Sequence, residues 1–131
     1  MEIDLHKLHV LVVEDNTLTL KLIQAVLKDM SVGQVYTARD GREAQTFLDA
    51  GDDLINLIIC DWNMPRMSGL DLLKQVRMTM PEIPFLLVTA RGTIDSVMAA
   101  KKSGASGYVV KPFSPAELEQ KVVALARRID G

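Results

Sequence analysis

Five polar side chains stand where apolar runs stop. Leu8 to Val13 ends at Glu14-Asp15, Leu54 to Cys60 at Asp61, Phe85 to Val88 at Thr89, and Gly107 to Val110 at Lys111-Pro112. Three carboxylates, a hydroxyl and an ammonium suit one kind of chemistry. Carboxylates held within a few ångströms repel one another unless positive charge sits among them. A set of hard oxygens without imidazole or thiolate points to Mg²⁺ rather than zinc. Lys111 and such a cation can together neutralise a phosphoryl group, and Thr89 can hydrogen-bond one of its oxygens. Asp61 can attack phosphorus and form an aspartyl phosphate. The reaction suggested is cation-assisted phosphoryl transfer to Asp61.

That chemistry requires the run ends to meet, and the patterning between them says how. The four runs are short, rich in β-branched residues and apolar throughout, as parallel strands covered on both faces are. Gln34 to Ala38 is more polar and suits a sheet edge. Between strands the period becomes helical. Leu18, Leu22 and Val26, with Ile23, Leu27 and Met30, form one apolar stripe that Asn16 or Thr17 can cap. Asp40 to Glu43 and Ser114 to Glu117 have capping-box spacing, and Pro115 takes the favoured first helical position. Ser68 opens a helix running to about Arg77, another runs from about Thr93 to Lys102 with Gly104 ending it, and the last from Pro115 to about Ile129. Glycines 33, 41, 51 and 107 mark the joins.

Five strand–helix units predict an α/β fold: a doubly wound five-stranded parallel sheet with five helices and right-handed crossovers. Five units are too few for an eight-stranded barrel. In open sheets of this kind ligands bind beyond the carboxyl ends of the strands, which is where the acids, Thr89 and Lys111 collect. The 131 residues read as a single domain over 1–131 with its core at about 8–129, leaving no room for a separate DNA-binding or catalytic output domain.

Composition narrows the setting. Apolar residues make up 48%, and a single cysteine excludes an intrachain disulfide. Seventeen acids against fifteen bases leave a net charge of −2, which excludes nonspecific nucleic-acid binding as the main activity. No apolar run reaches the roughly 18 residues of a membrane span, and Met1-Glu2-Ile3-Asp4 has no signal-peptide pattern. A cytoplasmic location without membrane contact is expected.

Taken in order, Glu14-Asp15, Asp61-Trp62-Asn63-Met64-Pro65, Ser68-Gly69, Val88-Thr89-Ala90, Gly104-Ala105 and Tyr108 to Phe113 resemble the receiver domain of two-component response regulators, over about Leu8 to Ile129. The stretch from Asp61 to Pro65 is most similar to the CheY-like, chemotaxis branch. The resemblance implies the flavodoxin-like strand order 2-1-3-4-5 and a phosphoryl group accepted on Asp61 from a histidine kinase. It implies Mg²⁺, with Mn²⁺ as a substitute, held by Glu14, Asp15, Asp61 and the backbone carbonyl of Asn63. Thr89, the backbone of Ala90 and Lys111 would bind the phosphoryl group, and Thr89 with Tyr108 would form a switch. Lys111-Pro112 would be a cis peptide. Asn63 and Arg91 would tune dephosphorylation, self-catalysed like phosphorylation itself. The output face would comprise the fourth helix, fifth strand and fifth helix, for an unnamed partner that in a chemotaxis setting would be a flagellar motor switch protein. Two positions depart from many relatives: Glu14 stands where Asp is common, and Arg91 where Glu often stands.

Plainer readings exist for single residues. Trp62 is expected to be a half-exposed ring beside the site, Cys60 a core residue, His6 and His9 surface or strand-edge residues, Met64 and Met67 loop packing, and Lys101-Lys102 a solvated helix end. Among rival functions, a calcium loop opening at Asp61 fails because Arg66 takes the glycine position and Leu72 the bidentate acid position. A flavodoxin-like flavin carrier would place a phosphate against Glu14-Asp15. A haloacid-dehalogenase-type phosphatase would carry a second acid where Asn63 stands. A receiver excised from a larger DNA-binding regulator or hybrid kinase, with Arg127 to Gly131 opening a linker, stays open beside the stand-alone reading.

Overall fold

The central strands are apolar on both faces because helices cover both faces. A computed structural model describes residues 4–51 and 55–130. After a short 3-10 turn at Leu5–Lys7, the chain alternates β1 (His9–Val13), α1 (Thr17–Asp29), β2 (Gln34–Ala38), α2 (Gly41–Gly51), β3 (Leu57–Asp61), α3 (Gly69–Thr79), β4 (Phe85–Thr89), α4 (Ile94–Lys102), β5 (Gly107–Val110) and α5 (Pro115–Asp130). All pairings are parallel, and the strand order is 2-1-3-4-5, as the patterning and the resemblance led one to expect.

Alternation along each strand feeds two cores. Val10, Val12, Leu57, Ile59, Leu86 and Val88 pack with Ile23 and Leu27 of α1 and Leu118 and Val122 of α5. Leu11, Val13, Ile58, Cys60, Phe85 and Leu87 pack on the other side with Ala44 of α2, Leu72, Leu73 and Val76 of α3 and Ala100 of α4. Each fully buried aliphatic side chain contributes about 1.5–3 kcal/mol relative to exposure. β2 is the edge strand beside β1, and its Gln34 and Thr37 are exposed.

Strand ends differ from the sequence reading by a residue or so. β1 begins at His9 rather than Leu8, and β4 includes Thr89. β3 begins at Leu57 and ends on Asp61 itself, so the Asp61 backbone is held by sheet pairing to Val88 rather than by a loop. Leu54, the expected start of that strand, lies outside the described residues, as do Met1 to Ile3 and Gly131.

The helices start where side chains satisfy their orphan amides. Asn16, not Thr17, caps α1, its Oδ1 accepting the Thr19 N–H at 2.9 Å. Asp40 accepts from Glu43 N–H at 2.8 Å, Ser68 from Asp71 N–H at 3.1 Å, Thr93 from Ser96 N–H at 3.2 Å and Ser114 from Glu117 N–H at 3.1 Å. At the far end of the sheet, Arg77 donates to the carbonyls of Gly104 (2.9 Å) and Met80 (3.0 Å), tying the end of α3 to the turn before β5. Gly104 takes φ +101°, which ends α4 as expected.

Gly69 is where α3 meets the strand end. A Cβ there would lie 2.1 Å from the carbonyl oxygen of Asp61 and 3.0 Å from Cα of Trp62. At an ordinary helical position alanine is favoured over glycine by up to about 1 kcal/mol. Here the backbone must shift, at about 1–3 kcal/mol for overpacking. Gly69→Ala is therefore expected to lower the urea midpoint of unfolding; an unchanged or raised midpoint would contradict the contact.

Candidate functional site

Register brings the polar ends together. Val13 pairs with Cys60, so Glu14 follows directly beside Asp61. Asp61 pairs with Val88 and Thr89 with Val110, so Thr89 and Lys111 come next along the same edge. The crevice over β1 and β3 is the switch point in strand order, where open α/β sheets place ligands.

Glu14, Asp15 and Asp61 each offer a carboxylate oxygen, and these lie within 4.8 Å of one another. Glu14 is buried at 1% exposure and Asp61 at 7%, whereas Asp15 is exposed. Lys111 Nζ stands 3.1 Å from Glu14 Oε1 and 3.3 Å from Asp61 Oδ1. The other Glu14 oxygen accepts the Asn16 N–H at 3.1 Å.

These contacts set the protonation behaviour. Burial pushes the Glu14 carboxyl above its ordinary value; the charge of Asp61 adds to that, while the Asn16 N–H and Lys111 pull against it. For Lys111, burial opposes the charged form, but the bond to Glu14 and the charges of Asp61 and Glu14 outweigh it and raise its pKa. Burial pushes the Cys60 thiol well above its ordinary value, with Asp61 and Glu14 adding, so it stays a thiol in the core as expected.

The donor set fits a hard divalent cation. It offers only oxygens, and these lie close enough to reach one ion. Three carboxylates against one ammonium leave two negative charges when all are ionised, which a dication would balance. Asp15 faces solvent, leaving room for the waters that Mg²⁺ retains.

Thr89 is buried, and its Oγ1 accepts the Arg91 N–H at 2.8 Å. The Lys111-Pro112 peptide is cis. Tyr108 is half-buried beside the core shared with α2–α4, and Lys121 Nζ lies 5.4 Å from its ring centroid. Asn63 and Ala90 are exposed on the loops after β3 and β4. Trp62 is not half-exposed: it is 7% exposed and joins the core with Leu72 and Leu73. The loop folds back so that the Gly69 N–H donates to Trp62 O at 2.8 Å. Arg91 covers the ring from outside, 5.8 Å from its centroid. Met64 and Met67 are partly buried, and Lys101-Lys102 are exposed, as expected.

Sequence reading missed a second charged group beside the site. Asp40, noted only as a helix cap, is buried and accepts from Nε of Arg66 at 3.0 Å as well as from its Nη2. The capping box was the only signal pointing at Asp40, and nothing near Arg66 in the chain marks its partner.

A sheet ordered 2-1-3-4-5, with acids, a hydroxyl and a lysine gathered at its carboxyl edge, has the arrangement of a receiver domain. The chain belongs to the response regulator receiver domain family, whose model matches residues 10–123. It is 35% identical to the chemotaxis protein CheY of Pseudomonas aeruginosa over 124 residues, covering 93% of this chain and 98% of that protein. It is 33% identical to chemotaxis protein CheY-3 of Vibrio cholerae, covering 98% and 100%. The structure of chemotaxis response regulator CheY4 of Vibrio cholerae superimposes with a TM-score of 0.83 at 32% identity, over 90% of this chain and 98% of that one. The chain is thus a CheY-like receiver, and the family works with a histidine kinase upstream and an output partner downstream.

The Glu43 N–H and Arg66 together hold the Asp40 carboxyl below its ordinary value of 3.8. A depressed carboxyl contributes stability that is present above pH 3.8 and is lost as pH falls through the folded value. Asp40→Asn is therefore expected to be less stable than wild type in urea at pH 7, with the gap closing below about pH 3.8. A gap independent of pH would remove the charge on Asp40 as the cause.

Proposed function

We propose that this chain is a phosphorylation-controlled switch in which Asp61 takes a phosphoryl group from a histidine kinase. The observation that carries this reading is the closeness of the Glu14, Asp15 and Asp61 oxygens, with Lys111 Nζ 3.3 Å from Asp61 Oδ1. An Asp61 oxygen forms the new bond to phosphorus as the P–N bond to the kinase phosphohistidine breaks, and the imidazole leaves neutral, keeping the proton on its other nitrogen. Glu14, Asp15, Asp61 and the Asn63 carbonyl would hold Mg²⁺, with Mn²⁺ as a substitute; when bound, the cation supplies positive charge to the phosphoryl oxygens.

The chain's own groups do the rest. Lys111 is already drawn to Asp61 and follows the charge onto the phosphoryl group. Thr89 Oγ1 accepts from Arg91, which leaves its own proton free to donate to a phosphoryl oxygen, beside the Ala90 N–H. Movement of Thr89 would open space for the Tyr108 ring and so shift the population of the face built by α4, β5 and α5. Ile94 and Met98, one turn apart on α4, are 78% and 62% exposed, which suits binding by a partner. Asn63 and Arg91 flank the approach of the water that would hydrolyse the phosphoryl group.

A chemotaxis role, with a flagellar motor switch protein as partner, draws support from the two relatives named as chemotaxis proteins. Among the described residues no helix is long and apolar enough to cross a membrane.

Incubation with acetyl phosphate and Mg²⁺ is expected to add one phosphoryl group by intact mass, labile to base. Asp61→Asn is expected to gain none, and an identical adduct on that variant would sink the assignment. Lys111→Ala is expected to retain Mg²⁺-dependent change in Trp62 fluorescence while its phosphorylation slows by about 10²-fold. Phosphorylation at the wild-type rate would take Lys111 out of the mechanism.

A further inference from the structure

The loop after β2, Arg39-Asp40, contributes no atom to the acidic pocket, yet it bonds to both loops that do. On one side Arg39 Nη2 donates to the backbone carbonyl of Asp15 at 3.2 Å, and the Glu14 N–H donates to Ala38 O at 3.0 Å. On the other side Asp40 Oδ2 accepts from Nε and Nη2 of Arg66, three residues past Asn63. Asp40 is itself tethered on both oxygens. It is 6% exposed, and its Oδ1 is committed to the Glu43 N–H that starts α2. Beside it, a Cβ on Gly41 would lie 2.8 Å from the Met67 side chain, so the β3–α3 loop rests directly on the start of α2. Arg66 has φ +69°, in the left-handed region that side-chain-bearing residues rarely enter. A residue kept there is held by its surroundings, and the Asp40 carboxylate is the group holding it.

The loop from Trp62 to Ser68 is thereby pinned twice: near its ends by Gly69 N–H on Trp62 O, at 2.8 Å, and within by Arg66 on Asp40. Asn63 lies between the pins. A small octahedral cation drawing ligands from separate loops needs those loops at a set spacing. We propose that Arg66 and Asp40 are positioning residues for the cation site, with the Arg39-Asp40 loop acting as a brace that sets the distance between the Glu14-Asp15 loop and the Asn63 loop. This rests on the proposed cation site and adds to it where part of its affinity comes from. The brace touches no phosphoryl oxygen, so its loss changes how tightly the cation binds and not the chemistry once it is bound.

The test is Mg²⁺ titration of the full chain, read by Trp62 fluorescence and by the Mg²⁺-induced rise in Tm, for wild type, Arg66→Ala, Asp40→Asn and the double variant. Arg66→Ala is expected to bind Mg²⁺ about tenfold more weakly, the low end for outer-shell partners of metal ligands. Its phosphorylation rate at saturating Mg²⁺ is expected to stay within about twofold of wild type. The double variant is expected to bind no more weakly than the weaker single one, because the two residues act as a pair. Cooperative melting in chelator separates loss of affinity from loss of fold. A wild type with no Mg²⁺ response overturns the cation site and the brace with it. A wild type that binds, beside an Arg66→Ala that binds equally well, overturns the brace alone. Fully additive losses in the double variant overturn the pairing of Arg66 with Asp40.

Discussion

Three carboxylates crowded at one sheet edge repel one another, and the neighbouring contacts respond to that repulsion. Glu14 shows it most directly. It is nearly inaccessible, its carboxyl is pushed up by burial and by Asp61, and its two oxygens are committed to Lys111 and the Asn16 amide. One ammonium cannot balance three acids, so the pocket is built around a deficit of positive charge. A dication would correct that deficit, and a phosphoryl group would reopen it, drawing Lys111 toward the new anionic oxygens. The site is poised because its resting state is electrostatically incomplete.

The rest of the fold keeps that tension local. Two apolar cores, one on each face of the sheet, fix the strands in register, so the backbones at Glu14 and Asp61 cannot move apart to relieve repulsion. Relief has to come from the loops, and these are tied to one another by specific polar contacts: Arg39 to Asp15, Arg66 to Asp40, and the Arg91 amide to Thr89. Rigid strands carrying the charges and loops of limited freedom around them are what a two-state response requires.

The strands and their end residues were legible because parallel strands covered on both faces read as unbroken apolar runs, and a polar residue ending such a run is conspicuous. Helix starts were legible for a similar reason, since a capping side chain lies within three residues of the amide it serves. Contacts between loops were not. Asp40 and Arg66 are 26 residues apart, and only the placement of β2 beside β1 brings them together. Trp62 was misjudged because a large ring two residues before an exposed-looking Met-Pro-Arg stretch gives no sign that its loop folds back onto α3. The start of β3 was set too early because Ile55, apolar and buried, precedes the strand without pairing in it.

Lys111 lies 97 residues beyond Glu14, so the acids leave the ribosome well before their internal counter-charge. β1 and β3 pair directly with one another, so any form that pairs them without β5 would gather Glu14, Asp15 and Asp61 with no lysine among them. Such an intermediate is penalised by its own charge. The acidic edge therefore favours late closure, with docking of β5 completing the sheet and bringing the acids their one ammonium. The contact between Lys111 and the acids thus ties the loop after β5 to the ends of β1 and β3.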